Sequence, residues 1–348
     1  MRPQHFLLML LVFALYWMYQ LYNAYWMPIL IGSLLAISTA NIQKRLLEIT
    51  KNDFYAALIS STLLAILLFA PLGYFLTTLT IKLHGVNVNT FTHVYDTIEL
   101  WINELPESLD FFKTQLKELT HYDNLRAIAG DSLGLAANLG KYSASFLKDA
   151  FLIIIFYFFA QYHGKTIIHY LIKIIRLPQQ DTTLLSLEVS NVMSVVFYSI
   201  IATATLEGAL FGVMISLIGY NGLLFGIMYG FASLIPIVGG ALMWAPFMIF
   251  ELSLGHTDNA FIVALYSIVV ISIVADTFVK PLIIKYIDLT IIKSNTKINE
   301  LLIFFSILAG LTAFGFWGMV LGPAITAFFM ALLKLYGERD ENYFTGKH

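Results

Sequence analysis

"FASLIPIVGGALMWAPF", residues 231–247, decides how the rest of the chain is read. It lies inside an apolar block, 222–254, long enough to cross a bilayer. Yet Pro236, Gly239, Gly240 and Pro246 fall within it, and each weakens a helix. A straight crossing and a hairpin that enters and turns back both fit the composition. Charge separates them, because short cytoplasmic loops are enriched in lysine and arginine. Lys44, Arg45 and Lys51 place the 43–53 loop in the cytoplasm. Span 54–80 then exits, span 147–163 returns to Lys165, Lys173 and Arg176, and span 193–218 ends outside at "GYNG". If 222–254 crossed once, Lys280, Lys285, Lys293 and Lys297 would all lie outside. If it turns at Pro236–Gly240, the "GHTDN" loop (255–259) is outside and span 260–280 brings those lysines into the cytoplasm. The same count makes 300–336 a second hairpin, bent near "FGFWGMVLGP" (314–323), which returns Lys334 and Arg339 to the cytoplasm.

Working outward, the whole composition agrees with a membrane solvent. Of 348 residues, 59% are hydrophobic and 12% charged. Soluble domains carry about 45–50% apolar and about 25% charged residues. The expectation is an all-α membrane protein of about eight segments, with two re-entrant or broken hairpins. Arg2 with the apolar run 6–22 reads as an uncleaved first helix, followed at once by 24–42, so both termini are expected in the cytoplasm. A net charge of −2 offers no basic stripe for nucleic acid. The absence of cysteine removes disulfides, thiolate metal sites and cysteine nucleophiles.

The long polar stretch, 81–146, contains "TFTHVYDTIELWINELPESLDFFKTQLKELT", in which Leu105, Leu109, Phe112, Leu116 and Leu119 recur at helical spacing. It reads as an extracytoplasmic lobe of short amphipathic helices. The expected organisation is a scaffold over 1–80, this lobe over 81–146, a fourth membrane helix and cytoplasmic connector over 147–192, a transport core over 193–336 and a cytoplasmic tail over 337–348.

Within that core, 193–254 reads as an outward helix plus a hairpin and 260–336 as an inward helix plus a hairpin. That is an inverted repeat, and matched broken segments in such repeats mark a solute site near the midplane. A bend in hydrocarbon frees backbone N–H and C=O groups, which must face protein or a wet cavity and are then available to a solute. Three pairs are spaced for close helix packing: Gly208 with Gly212, Gly226 with Gly230, and Gly318 with Gly322. Glu207, in "IATATLEGALFG", lies mid-span, where an acidic residue is costly and marks an ion or proton path. Thr203, Thr205 and a freed hairpin N–H are its expected neighbours. Asp276, in "VADTFVKP", stands four residues before Lys280 and is expected to pair with it or to cap a bend before Pro281. Asn299 and Glu300 read as a helix start, and His163 and His169 as interfacial.

Catalytic signatures are missing: there is no HExxH, GxSG or GxGD. "GLAANLGKY" (134–142) has one residue too many for a phosphate loop and lacks Ser or Thr after Lys141. No cofactor or metal is expected, and active transport would have to run on an ion gradient.

The run "GALFGVMISLIGYNGLLFGIMYGFASLIPIVGGALMWAPF", then Asp276 with Pro281, then "LLIFFSILAGLTAFGFWGMVLGPAITAFF", resembles the autoinducer-2 exporter family of bacterial permeases. The shared pattern is Ile235-Pro236 with Gly239, Asp-x4-Pro, and Gly315, Gly318, Gly322 and Pro323. The resemblance implies an inner-membrane exporter of a small polar signal or metabolite, about eight membrane segments, an elevator-like motion and a homo-oligomer, pentameric in a relative. Some relatives are described as sodium(lithium)/proton antiporters, which implies proton or sodium as a partner beside the solute and lipid. A membrane scaffold whose outer lobe binds a partner is the third expectation. Thr277 follows Asp276 where many members carry Asn.

Overall fold

The structure, a computed structural model, describes residues 3–83, 100, 102–103, 132–175, 179–235, 238–287 and 300–345. Pro236, Asn299 and most of the 81–146 lobe, including the amphipathic positions from Leu105 to Leu119, lie outside the described residues. The described chain is helical throughout, with no strand.

The N-terminal helix α1 (Pro3–Tyr22) runs through a single 3₁₀ turn, Asn23–Tyr25, into α2 (Trp26–Ser38). Amphipathic α3 (Ala40–Thr50) follows, then α4 (Asp53–Leu83), α5 (Ser132–Ile175) and α6 (Gln179–Leu217). Two shorter helices, α7 (Gly222–Ala232) and α8 (Gly239–Ser253), flank the break of the quoted stretch. Next, α9 (Thr257–Tyr266), a π-helical segment (Ser267–Val279) and α10 (Lys280–Ile287) run without interruption. The last pair is α11 (Glu300–Phe314) and α12 (Gly318–Thr345).

Six helical stretches among the described residues are long and apolar enough to cross a membrane: Leu8–Ser38, Asp53–Thr78, Ala144–Tyr170, Asp181–Leu217, Thr257–Ile283 and Gly318–Tyr336. The count differs from the expected eight for two reasons. The separate spans 6–22 and 24–42 form one apolar helical run, and the block 222–254 is divided into α7 and α8, at 11 and 15 residues each shorter than the roughly 20 residues a crossing takes, while 300–336 keeps a span through α12. The phosphate-loop look-alike at 134–142 is simply helix. Many large apolar side chains point outward, as bilayer-facing surfaces do; along α1, Phe6, Leu11, Phe13, Trp17 and Leu21 are all exposed.

The chain divides into two compact units, 1–66 with 147–197 and 294–348, and 67–146 with 198–293. In the first, α2 lies directly on α5. A methyl group at Gly32 would stand 2.8 Å from the Ile153 carbonyl oxygen, so only glycine permits this approach. The α2/α3 break at Thr39 is buried, and its polar groups are answered by side chains. The Thr39 and Tyr157 hydroxyls are 2.8 Å apart, and the Gln161 amide donates to Thr39 Oγ1 at 3.0 Å and to the Ala36 carbonyl at 3.2 Å. Ser194 Oγ donates to the Ser38 carbonyl at 2.9 Å. At the ends, Lys165 Nζ lies 3.8 Å from Asp53 Oδ1, and Lys334 Nζ 3.0 Å from Glu188 Oε1. The start of α4 therefore shares a level with the last quarter of α5, and α12 returns to the level of the first turns of α6.

In the second unit the core is Phe211, Met214, Ile215, Tyr229, Phe247, Val263 and Ile271. Phe211 stacks on Tyr229 with centroids 4.5 Å apart, and Phe225 meets Phe247 edge-on at 5.0 Å. Helices α6 and α7 run antiparallel along a stripe of small residues. A methyl at Gly208 would lie 2.5 Å from the Gly226 carbonyl oxygen, and one at Gly212 would lie 2.6 Å from that of Gly222. Buried Gly230 extends the stripe by one more turn, but its partner is an alanine rather than a glycine. A methyl at Gly230 would lie 2.8 Å from the Ala204 carbonyl oxygen. The small residues therefore oppose one another as Gly212 with Gly222, Gly208 with Gly226 and Ala204 with Gly230, and the three-step ladder is longer than glycine spacing alone indicated. In the first unit α11 and α12 repeat the device, with Gly310 against Gly318 and Gly322 against the Ser306 carbonyl.

Candidate functional site

Glu207 sits on the face of α6 that the small-residue stripe presses against α7, and its side chain is 6% exposed. The contact between Ala204 and Gly230 brings the last turn of α7 close on the side of the carboxyl. A charged carboxyl so placed needs an opposite charge or hydrogen bonds to offset its lost hydration. Both are present. Lys280 Nζ is 3.7 Å from Glu207 Oε1 and 3.2 Å from Asp276 Oδ1. The Asp276 carboxyl and the Ser233 hydroxyl lie against the Glu207 carboxyl, and Tyr229 lies within electrostatic reach of both acids. Two carboxyls thus share one ammonium. If both are ionised, the trio is one positive charge short of neutral.

Each member arrives from a different element. Glu207 is fixed by α6, and Tyr229 and Ser233 by α7 and the turn after it. Gly230 has a second part in this placement, since its carbonyl accepts the Ser233 hydroxyl at 3.0 Å. Asp276 comes from the π-helical segment and Lys280 opens α10, one turn later. Short π-helical stretches favour functional sites, because the wider turn re-aims side chains. Pro281 accounts for its lower end. In α-helical geometry its ring would meet the carbonyl four residues back, and here the Lys280 amide bonds instead to the Ala275 carbonyl, five back. Nothing in the structure explains why the segment extends over 13 residues. Gly240 lets the start of α8 lie close over Tyr229: a methyl there would be 2.6 Å from the Tyr229 hydroxyl.

The expected partners of Glu207 are corrected. Thr203 and Thr205 turn back to their own helix, each donating at 2.7 Å, to the Ser199 and Ile201 carbonyls. Six described bend amides are also engaged. Ser233, Leu234, Ile235 and Gly239 donate to Tyr229, Phe231, Ala232 and Ile235. At the other break Gly315, with φ +66, donates to Leu311, and Gly318 donates to Gly315. Local turns re-pair these amides, and side chains add polarity beside the first break.

Of the sequence candidates, Glu207, Asp276, Gly239, Gly240 and Pro281 fall in one unit, and Glu207 and Asp276 meet. The packing glycines Gly208, Gly212, Gly226 and Gly230 lie in that unit too, along the α6–α7 contact. Gly315, Gly318, Gly322 and Pro323 form the bend and first turns of α12 in the other unit, with Pro323 fully buried. Sequence reasoning paired Lys280 with Asp276 alone and missed its bridge to Glu207, together with Ser233 and Tyr229.

It also missed a second acid. Glu251, at the end of α8, is 0% exposed. It accepts from the Tyr220 hydroxyl and, at 2.9 Å, from Asn259 Nδ2, and His256 Nδ1 lies 3.3 Å away. An acid five residues before His256 and eight before Asn259 was the available signal. His163 packs against Phe159 and Tyr162, an ordinary aromatic contact.

The chain, a multi-pass helical membrane protein, has known relatives. The model of the AI-2E family transporter matches residues 6–338. A protein of Helicobacter pylori strain 26695, named "Putative transport protein", is 36% identical over 352 residues, covering 99% of this chain and 97% of its own. Its counterpart in strain J99, under the same name, is 35% identical over 100% of this chain and 98% of its own. A similarly named Aquifex aeolicus protein is 26% identical over 56% of this chain and 52% of its own. The matched range includes both broken segments and the carboxyl–lysine trio, and the chain belongs to the AI-2E transporter family.

Proposed function

We propose that the protein is a secondary transporter of the bacterial inner membrane that exports a small solute and couples its movement to a proton or sodium ion at Glu207 and Asp276. The solute class is an autoinducer-2-like signal or a metabolite. The motion is elevator-like, the protein works as a homo-oligomer, and α7–α8 and α11–α12 are re-entrant hairpins. One observation carries the coupling: Glu207, sealed within a membrane helix, faces a second carboxyl and an ammonium rather than a neutral hydrogen-bond partner alone. Acidic groups inside spans mark ion or proton paths.

The test uses purified protein in liposomes loaded with a pH-reporting dye, under an imposed proton gradient. Adding sodium or lithium moves protons in the wild type and not in a folded Glu207→Gln variant. Equal proton movement in both would remove Glu207 from the coupling role.

A sodium(lithium)/proton antiporter is the second reading. It is favoured by the engagement of the described amides Ser233, Leu234, Ile235 and Gly239 at the first bend, beside which the Glu207 and Asp276 carboxylates are the evident cation ligands. It requires the dye response without any organic solute.

A further inference from the structure

We propose that Lys280 is a tethered stand-in for the coupling cation: its ammonium fills the place between the Glu207 and Asp276 carboxyls, and a cation binding there must displace it. The proposal rests on the transport reading above and assigns a role that neither the family match nor the two acids alone supply.

The geometry makes the argument. The two carboxyls come from separate elements, α6 and the π-helical segment, and Lys280 lies within ion-pair distance of both, at 3.7 and 3.2 Å. The contacts are unequal. Lys280 donates a hydrogen bond to Asp276, while its approach to Glu207 is longer than a hydrogen bond. The inner carboxyl is therefore paired with the ammonium only at a distance.

Exposure differs in the same direction. Glu207 is 6% exposed, whereas Lys280 is 38% and Asp276 41%. A lysine on a flexible four-carbon stem can swing toward the open side, while a buried glutamate cannot follow it. Pro281, immediately after Lys280, holds the backbone from which it swings.

The electrostatics give the arrangement a use. Without Lys280 the unloaded site would hold two acids in hydrocarbon with no opposite charge, and they could stay ionised only at high cost. With Lys280 in place the empty site is paired. A small cation of lithium or sodium type then binds only by winning a competition, which weakens its affinity and hastens its release. A neutral solute need not displace the ammonium at all.

The experiment titrates sodium chloride against choline chloride, at constant ionic strength, on purified full-length protein and follows thermal unfolding. In Lys280→Gln the sodium concentration giving half the stabilisation falls by about tenfold or more, the size expected when a single competing charge is removed. Lys280→Arg keeps the wild-type response, and Lys280→Gln with Glu207→Gln gives none. An unchanged, weaker or absent sodium response in Lys280→Gln overturns the proposal.

Because that variant leaves two acids unpaired, a second measurement uses the wild type alone. Sodium, against choline, raises acylation of Lys280 by a small amine-reactive reagent, read by mass spectrometry, and leaves Lys285 unchanged. No rise overturns the proposal as firmly. The two readings fail separately. Proton flux that persists in Glu207→Gln sinks the coupling role even if Lys280→Gln gains sodium. Flux that depends on Glu207, with no gain in Lys280→Gln, sinks only the tethered cation.

Discussion

Glu207 and Glu251 are both acids sealed from solvent in the same unit, and they answer their burial in opposite ways. Glu251 takes two neutral donors, Tyr220 and Asn259, and one histidine, all from its own end of the helices. That set ties the end of α8 to the α6–α7 turn and to α9, and it has the character of a structural clasp. Glu251→Ala strands the Tyr220 and Asn259 donors and destabilises the fold by about 3 kcal/mol, measured by denaturation, with no change in coupling. Glu207→Gln does the reverse, abolishing coupled flux while the protein stays folded. The clasp also has a pH signature. Burial, then the hydrogen bond and charge of Glu251, push the Tyr220 hydroxyl up to about 12. A phenol raised above its ordinary value of about 10 adds stability that is complete below pH 10 and is lost as pH rises toward 12. Between those limits the melting temperature of the wild type falls more steeply than that of Tyr220→Phe. At this scale the sequence revealed the costly acids inside spans but not their partners. Glu207 and Lys280 stand 73 positions apart, and no local spacing links them.

At the scale of elements, the helices of each hairpin region meet through small residues rather than through large side chains. In lipid there is no hydrophobic gain in bringing two helices together, so close backbone contact supplies the attraction. The four-residue spacing within the pairs Gly208 and Gly212, Gly226 and Gly230, and Gly318 and Gly322 was legible. Their partners were less so. Gly310 has no glycine four residues away, and Gly222, four before Gly226, was passed over, yet each faces a glycine across the contact, while Gly230, which has the pattern, faces Ala204. Gly226→Ala places a methyl 2.6 Å from the Gly208 carbonyl oxygen and forces α6 and α7 apart. It lowers the melting temperature and, through Glu207 on the same face, reduces coupled flux. Gly73 and Gly164 provide the control, since a methyl at either meets nothing within 4 Å. Alanine there is neutral or stabilises by up to about 1 kcal/mol, through helix propensity alone. The π-helical segment was illegible for a different reason. Its apolar composition suits an α-helix equally well, and only Pro281 hinted at a widened turn.

For the whole molecule, apolar length and lysine position made the helical membrane fold readable, but they counted crossings imperfectly. Leu8–Ser38 is one 31-residue run, longer than one crossing demands and shorter than two. Hairpin pairs such as α11–α12 have an apolar content that length alone reads as a crossing. Placing both termini in the cytoplasm requires α1 and α2 to cross separately, while placing the 255–259 loop outside requires α7–α8 to turn back. The chain contains no cysteine, so a single introduced thiol reports its own side without background. In right-side-out vesicles, Asp258→Cys is expected to react with a membrane-impermeant thiol reagent, and Lys285→Cys only after the membrane is opened. Reaction of Asp258→Cys solely in opened vesicles would make 222–254 a single crossing, and the inverted repeat would fall with it. His5→Cys is expected to be protected outside. Its reaction from outside would make Leu8–Ser38 a single crossing without touching the hairpins, because the count from the 43–53 loop onward is independent of what precedes it.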